Sequence, residues 1–482
     1  MSINIDELKK DLKHNPVFNM SLSGKEIFHS NVLAWLLSET NDNDEATSTA
    51  KALTKLFPPK GLKADEKAEE KYRVLTVFRE KNDFDLLIVY YLSEDKKQDT
   101  ESMRDSIIAV IEDEDDEKKN HFENDSNKNN KQSPVEGFIN NCKFVVIENK
   151  FKAIPDASQL DRYYLNVCGW KINQKTKQWQ NGKFIDLGKI AGKKIQLNSE
   201  NTTCYLLAPE KAKELFAQDS NTYSHDNKET GSQITVLWNL VTYEKVNEVI
   251  HKNMNTNYEP ILEKYYEFTD LMLKLSEDAV AVNENTKIYD FEKTVKQLKS
   301  IRIHDFYEKL WFSAIMSIIK QHLSEDVKNN LISEVGYSRG MGMLNFMYQF
   351  KDLPARYGIE IQNKQFRLAV YITNNKNKWK DIKDQSLQKD KYKDIFDWLF
   401  QLIPDKGNNK NISSITCDVN GTLSYTYINK KQKELPLGKF GEFKYIKFTF
   451  DKDIKVGVLT EKINYFLQEM KKIESKFNAE LK

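Results

Sequence analysis

The run Phe144-Val145-Val146-Ile147 is continuously apolar and then stops at Glu148-Asn149-Lys150. Successive side chains of a strand point to opposite faces, so a run without alternation predicts a strand covered on both sides. Such a strand belongs inside a sheet with helices on either face, and most of the neighbouring segments fit that frame. Tyr72 to Arg79 and Phe84 to Leu92 are rich in β-branched and aromatic residues. Lys81, Asn82 and Asp83 between them predict a hairpin turn. Cys204 to Leu207 reads as a second fully buried strand, Gln233 to Trp238 as another, and Ser106 to Ile111 as a short one. Residues 24 to 38 place Ile27, Phe28, Val32, Leu33, Leu36 and Leu37 at helical spacing, so they predict an amphipathic helix. Further helices are expected at Ala157 to Cys168 and from Tyr243. The pattern is that of an α/β domain with a mixed sheet.

The chain has 482 residues, too many for one core, so two or three domains are expected. Residues 1–255 form the α/β domain, with an almost entirely polar insertion near 93–141. Residues 256–335 read as a helical linker region and 336–482 as an α+β accessory domain. Within the last part, strands are expected at Gly342 to Phe350, Tyr357 to Gln362, Phe366 to Thr373, Ile412 to Asn429 and Phe443 to Phe450. Helices are expected at Lys389 to Leu402 and Val458 to Phe477. Phe346, Tyr348, Phe350 and Tyr357 together with Arg339, Arg356 and Arg367 offer a recognition surface, or else a sheet core. Specificity, dimerisation and partner sensing all remain open for this domain.

Charge and cysteine content exclude several classes. With 73 basic and 72 acidic residues the formal net charge is +1, so nucleic-acid contact has to come from a local groove. No run of about 18 apolar residues is present, and the charged N-terminus lacks a signal peptide's apolar centre. No membrane contact is expected, and Cys142, Cys168, Cys204 and Cys417, without a C-x-x-C pair, suit a reducing cytoplasm. Gly188 to Lys193 has the wrong spacing for a phosphate-binding loop, and no zinc-type histidine spacing or serine-hydrolase elbow occurs.

The chemistry concentrates at the end of the apolar run. Glu148 and Lys150, two apart on a strand, share a face, and Asp85 lies one residue into an upstream strand. If the two strands are neighbours, the two carboxylates meet at one sheet edge and suit Mg²⁺ or Mn²⁺. Lys150 could then orient a water or offset developing negative charge. Taken alone, such a pair is also common on solvent-facing strands.

Asp85, then V-I-E-N-K at 146–150, then Q-L-D-R-Y at 159–163 resembles the PD-(D/E)XK nuclease superfamily, in its RecB-like Gln-x-x-x-Tyr branch. Glu26-x-x-His29-Ser30 followed by Leu33-Ala34-Trp35-Leu36-Leu37 is similar to the opening of an uncharacterised bacterial and phage-associated group of these nucleases. The resemblance spans roughly residues 20 to 255 and departs from the common pattern at Phe84, where proline is usual. It implies a restriction-endonuclease-like core, with Asp85 and Glu148 as metal ligands and Lys150 as the catalytic lysine. It implies that Gln159 orients Lys150 or a phosphate, with Tyr163 on the same helix face or else in the core. Glu80 and Glu26 become candidate secondary carboxylates, and His29 is expected to be a packed helix residue rather than a base. The implied activity is hydrolysis of DNA with Mg²⁺ or Mn²⁺, in anti-phage defence. An RNA-cleaving nuclease or a catalytically silent nuclease-fold binding module are the alternatives. A homo-oligomer or a defence-system partner protein also remains open.

Overall fold

The structure, a computed structural model, describes residues 4–21, 26–38, 46–62, 72–92, 100–112, 139–151, 157–173, 179–190, 193–217, 221–227, 234–253, 259–338, 341–350, 355–362, 364–372, 412–427, 437–440 and 443–480. The chain divides into two compact units, one ending at Ser276 and one beginning at Glu277. The helix expected at Lys389 to Leu402, Arg339 and most of the polar insertion lie outside the described residues.

The first unit opens with helices α1 (Ile5–His14), α2 (Pro16–Met20), α3 (Glu26–Ser38) and α4 (Ser48–Thr54). Strands β1 (Tyr72–Lys81) and β2 (Phe84–Leu92), helix α5 (Thr100–Glu112), strand β3 (Cys142–Asn149) and helix α6 (Ala157–Val167) follow. Two small hairpins come next, β4 (Trp170–Ile172) with β5 (Trp179–Asn181) and β6 (Ile185–Ile190) with β7 (Lys193–Leu197). Strand β8 (Thr202–Ala208), helix α7 (Glu210–Ala217), strands β9 (Thr222–Asn227) and β10 (Ile234–Thr242), and helices α8 (Tyr243–Lys252) and α9 (Glu259–Val280) complete the order.

Six strands form one mixed sheet in the order β1-β2-β3-β8-β10-β9. The pairs β1/β2, β2/β3 and β10/β9 are antiparallel, and β3/β8 and β8/β10 are parallel. β3 lies inside it, and Phe144 to Ile147 are buried on both faces, as an unbroken apolar run requires. One face carries Leu87, Val89, Phe144, Val146 and Leu206, which pack with Leu160 and Tyr163 of α6 and with Trp238. Helix α3 packs against β1, β2 and β3. This is the restriction-endonuclease-like arrangement of a mixed central sheet flanked by helices. The β1–β2 hairpin turns on Asn82 and Asp83, both left-handed at φ 54° and 68°, which matches the twist of the flanking strands.

Two local expectations are corrected. Ser106 to Ile111 is part of helix α5, not a strand. Its β-branched content suggested a strand, yet Ile107, Val110 and Ile111 are spaced to bury one helical face. Val110 meets β6 so closely that a Cβ at Gly188 would come within 2.3 Å of its Cγ1. In α3 the buried stripe includes His29 and Ser30, while Ile27 is exposed. Polar partners, described below, rotate the buried face away from the one hydrophobicity alone selects.

The second unit holds helices α10 (Glu292–Leu298), α11 (His304–His322), α12 (Glu325–Lys328) and α13 (Val456–Glu480). Its strands are β11 (Ile332–Ser338), β12 (Met341–Gln349), β13 (Ala355–Gln362), β14 (Gln365–Ile372), β15 (Ile412–Cys417), β16 (Leu423–Tyr427), β17 (Leu437–Phe440) and β18 (Phe443–Phe450). They form one sheet in the order β11-β12-β13-β14-β18-β15-β16, with β17 paired to β18. Of the two readings for its aromatics, the core reading holds. Phe346, Tyr348, Phe350 and Tyr357 are buried, and Tyr357 donates to Glu474 of α13. Alternation along β13 and β14 puts Arg356 and Arg367 on the opposite face. No helix among the described residues is long and apolar enough to cross a membrane.

Candidate active site

The register of β2 and β3 decides which side chains meet. Leu86 lies opposite Ile147 and Leu87 opposite Val146, so the next step places Asp85 across from Glu148. Both carboxylates therefore stand at the same end of the sheet. Glu148 and Lys150 project to one face, where Lys150 Nζ lies 2.7 Å from Glu148 Oε1. The backbone N–H of Lys150 donates to Leu207 of the parallel neighbour β8, which holds the residue in line just past the strand end.

Helix α6 closes this face. Gln159 Nε2 donates to Glu148 Oε1 at 2.9 Å and to the Tyr163 hydroxyl at 3.0 Å. One turn of helix separates the two residues, which is why they share a face. Gln159, expected to orient Lys150 or a phosphate, contacts Glu148 directly, on the same carboxylate oxygen that Lys150 meets. Tyr163 serves both of its alternatives: its ring packs edge-on against Phe84 at 5.6 Å while its hydroxyl meets Gln159. The Arg162 guanidinium lies 5.2 Å from the centre of the same ring. Phe84, in the place where proline is common, thus anchors the helix beside Asp85.

Burial makes the cluster tense. Glu148 is 2% exposed and Lys150 8%. Glu148 Oε1 has two donors, but Oε2 is buried with no hydrogen-bond partner, a costly state for a carboxylate. Burial first, and then the negative Asp85, push the Glu148 carboxyl up to about 7 against the pull of Lys150. Asp85 is also raised by burial, partly offset by the N–H of Asn149 and by Lys150, with Glu80 adding repulsion. For Lys150, burial works against the charge, but Glu148, Glu26 and Asp85 outweigh it and hold the amine above its ordinary value. Glu26, at the start of α3, therefore acts on both Glu148 and Lys150, and Glu80 acts on Asp85. Glu80 itself takes φ 51° beside the hairpin turn, a left-handed backbone uncommon for its residue type.

The donor set fits a hard cation. All the candidate ligating atoms are carboxylate oxygens, one of them buried and unpartnered. Among the described residues no group of three or more His, Cys, Asp and Glu side chains could hold a metal. A magnesium-type ion needs no such cage, because it is held by one or two carboxylates and keeps waters and substrate oxygens.

His29 stands apart from this chemistry. It is fully buried, its Nδ1 lies 3.0 Å from the Tyr265 hydroxyl, and Phe151, Tyr243 and Phe268 surround its ring. Burial lowers its pKa to about 3, so it stays neutral and packed. The residue that sequence reading passed over is Asn149. It is fully buried on the opposite face from Glu148 and Lys150, and it contacts Glu26, Ser30, Tyr243 and Asp85. The signal was present as the serine of Glu26-x-x-His29-Ser30 and the asparagine of Glu148-Asn149-Lys150, but nothing in either motif says that they touch.

Residues 17–330 match the family model of the PD-(D/E)XK nuclease superfamily. The chain belongs to this superfamily. No curated protein and no solved structure matches it. Nucleases of this superfamily bind nucleic acid and generally use divalent metal ions. In this nuclease the matched segment contains Glu26, Glu80, Asp85, Glu148, Lys150, Gln159 and Tyr163, and the first unit gathers them at one end of its sheet.

Proposed function

We propose that this nuclease hydrolyses phosphodiester bonds in DNA with Mg²⁺ or Mn²⁺, using Asp85 and Glu148 as metal ligands and Lys150 as the catalytic lysine. The observation that carries the reading is the buried, unpartnered Oε2 of Glu148, opposite Asp85 and beside an ammonium group. A divalent ion, when bound, offsets charge on the scissile phosphate and makes its water more acidic. The chain's own residues prepare that site. Gln159 and Lys150 hold Glu148 Oε1, which leaves Oε2 directed elsewhere. Lys150 remains protonated, so it orients water or offsets the negative charge that develops, and does not act as the base. Tyr163 holds the Gln159 amide, and Glu26 and Glu80 supply the surrounding negative potential that favours a cation. Hydrolysis then forms one P–O bond to water and breaks one P–O bond to the sugar. The role in anti-phage defence rests on the resemblance of the α3 motif to phage-associated relatives.

The test incubates purified protein with Mg²⁺ or Mn²⁺ on plasmid, linear duplex, single-stranded DNA and RNA. Cleavage of DNA that EDTA stops, and that Glu148→Ala and Lys150→Ala abolish without unfolding, is the expected result. Cutting that persists in both variants removes the site assignment. Cutting of RNA alone changes the substrate, and binding without cutting of any nucleic acid favours the silent module.

A further inference from the structure

Glu148, Asn149 and Lys150 alternate across the sheet. The outer two face α6, and the middle one faces α3 and α8. Asn149 uses every side-chain donor it has. Nδ2 donates to the Glu26 carbonyl at 3.1 Å and to Ser30 Oγ at 3.0 Å. Oδ1 accepts from the Tyr243 hydroxyl at 2.6 Å, and the backbone N–H donates to Asp85 Oδ2 at 2.6 Å. The orientation of the amide is forced: the Glu26 carbonyl can only accept, so it must face Nδ2, and Oδ1 is left for a donor. Ser30 donates its own proton back to the Glu26 carbonyl at 3.2 Å, which frees its lone pair for Asn149. Tyr243 is fully buried and keeps its proton, because burial raises its pKa well above the ordinary phenol value.

We propose that the Asn149 side chain is a positioning element of the nuclease: it clamps the first turn of α3 to the end of β3, where the Asn149 backbone N–H holds Asp85, and so keeps Glu26 beside Lys150, with Tyr243 locking its amide. This rests on the metal-dependent reading given above. It explains why the two short motifs occur in one chain. The serine of the helix motif and the asparagine of the strand motif are two ends of one hydrogen-bonded joint. Partners that orient metal-binding side chains are worth about 10–100-fold in metal affinity or activity.

The experiment compares full-length wild type, Asn149→Ala, Tyr243→Phe and the double variant. It measures DNA cleavage against Mn²⁺ concentration, Mn²⁺ affinity by calorimetry without DNA, and thermal melting. Tyr243→Phe removes one hydroxyl and keeps the fold, so it carries the test if Asn149→Ala does not fold. The expected result is a loss of about 10-fold in kcat and in Mn²⁺ affinity for each single variant, with KM for DNA unchanged. The double variant should be no worse than Asn149→Ala, because both act through one amide. Folded variants with wild-type kcat and Mn²⁺ affinity overturn the proposal, as does full additivity in the double variant. If wild type binds Mn²⁺ but cuts nothing, the nuclease reading fails while Mn²⁺ affinity still decides the role of Asn149. If wild type binds no Mn²⁺, both fall together.

Discussion

Each unit buries a carboxylate beside a cation on the face of a sheet: Glu148 with Lys150 in the first, Glu360 with Arg367 in the second. Glu360 and Arg367 lie directly opposite on β13 and β14. Arg367 also donates to Gln362 at 3.0 Å and to Gln365 at 2.9 Å and 3.1 Å, and it lies over the Tyr445 ring at 4.7 Å. Neither side chain leaves a buried polar atom without a partner. Around Glu148 the balance is different. One amine faces Glu148, Asp85 and Glu26, and one carboxylate oxygen is buried with nothing to bond. One pair is chemically closed, and the other is short of positive charge. The contrast separates an ion pair with its partners satisfied from one whose spare carboxylate oxygen fits the proposed role in binding a cation.

The largest effect that sharpens this contrast is on catalysis. Glu148→Ala and Lys150→Ala should each lower DNA cleavage by a factor of about 1,000 or more, since under the proposed function they remove a metal ligand and the ammonium beside it. Arg367→Ala should leave the cleavage rate per folded molecule within about twofold. Rates normalised to folded protein check both, and equal losses at the two pairs would erase the distinction.

Next in size is stability. Arg367→Ala strips Glu360 of its ion pair while leaving it buried, which should cost about 3–5 kcal/mol in denaturant unfolding of the second unit. Glu148→Gln should act the other way on metal-free protein, stabilising the first unit by about 1–3 kcal/mol at pH 8. An ionised Glu148 is held against a pKa of about 7, and each unit of such a shift is worth about 1.4 kcal/mol. The amide that Glu148→Gln introduces carries no charge to solvate. A destabilised Glu148→Gln protein would mean that the charges of the site are already balanced by the protein itself.

The sequence makes the first pair readable and the second almost invisible. Strand alternation puts Glu148 and Lys150 together, and helical spacing joins Gln159 to Tyr163; both are local rules. The meeting of Asp85 with Glu148 follows from strand order and register, which spacing does not fix, so the residues alone gave it only on the condition that the two strands are neighbours. Asn149 was out of reach because its partners Ser30 and Tyr243 are 119 and 94 residues away. The same holds for α3, whose buried stripe includes His29 and Ser30 because Tyr265 and Asn149 supply their hydrogen bonds. Helix α5 was misread for a different reason: isoleucine and valine favour strands, and packing at i, i+3 and i+4 overrode them. In the second unit, Arg367 is visible as a basic residue of the expected recognition surface, but its pairing with Glu360 follows from the β13–β14 register, which spacing does not fix.

The smallest effect is the pH dependence of cation binding at the first pair; burial also raises the Glu360 carboxyl of the second pair, where no cation is expected. A carboxyl raised to about 7 must release its proton before it can bind a cation. The Mn²⁺ concentration needed for half-maximal binding should therefore rise about tenfold for each pH unit below about 7, and flatten above it. Stability of metal-free protein moves in the opposite sense. Because the folded-state value lies above the ordinary 4.5, the contribution of Glu148 is complete below about 4.5 and is lost as pH rises through about 7. Glu148→Gln should abolish that loss. Calorimetric titration of Mn²⁺ at pH 6, 7 and 8, beside thermal melts without metal, reads both slopes. If proton release does not accompany Mn²⁺ binding at pH 6, the acid excess around Lys150 is not what draws the cation, and the two pairs differ only in packing.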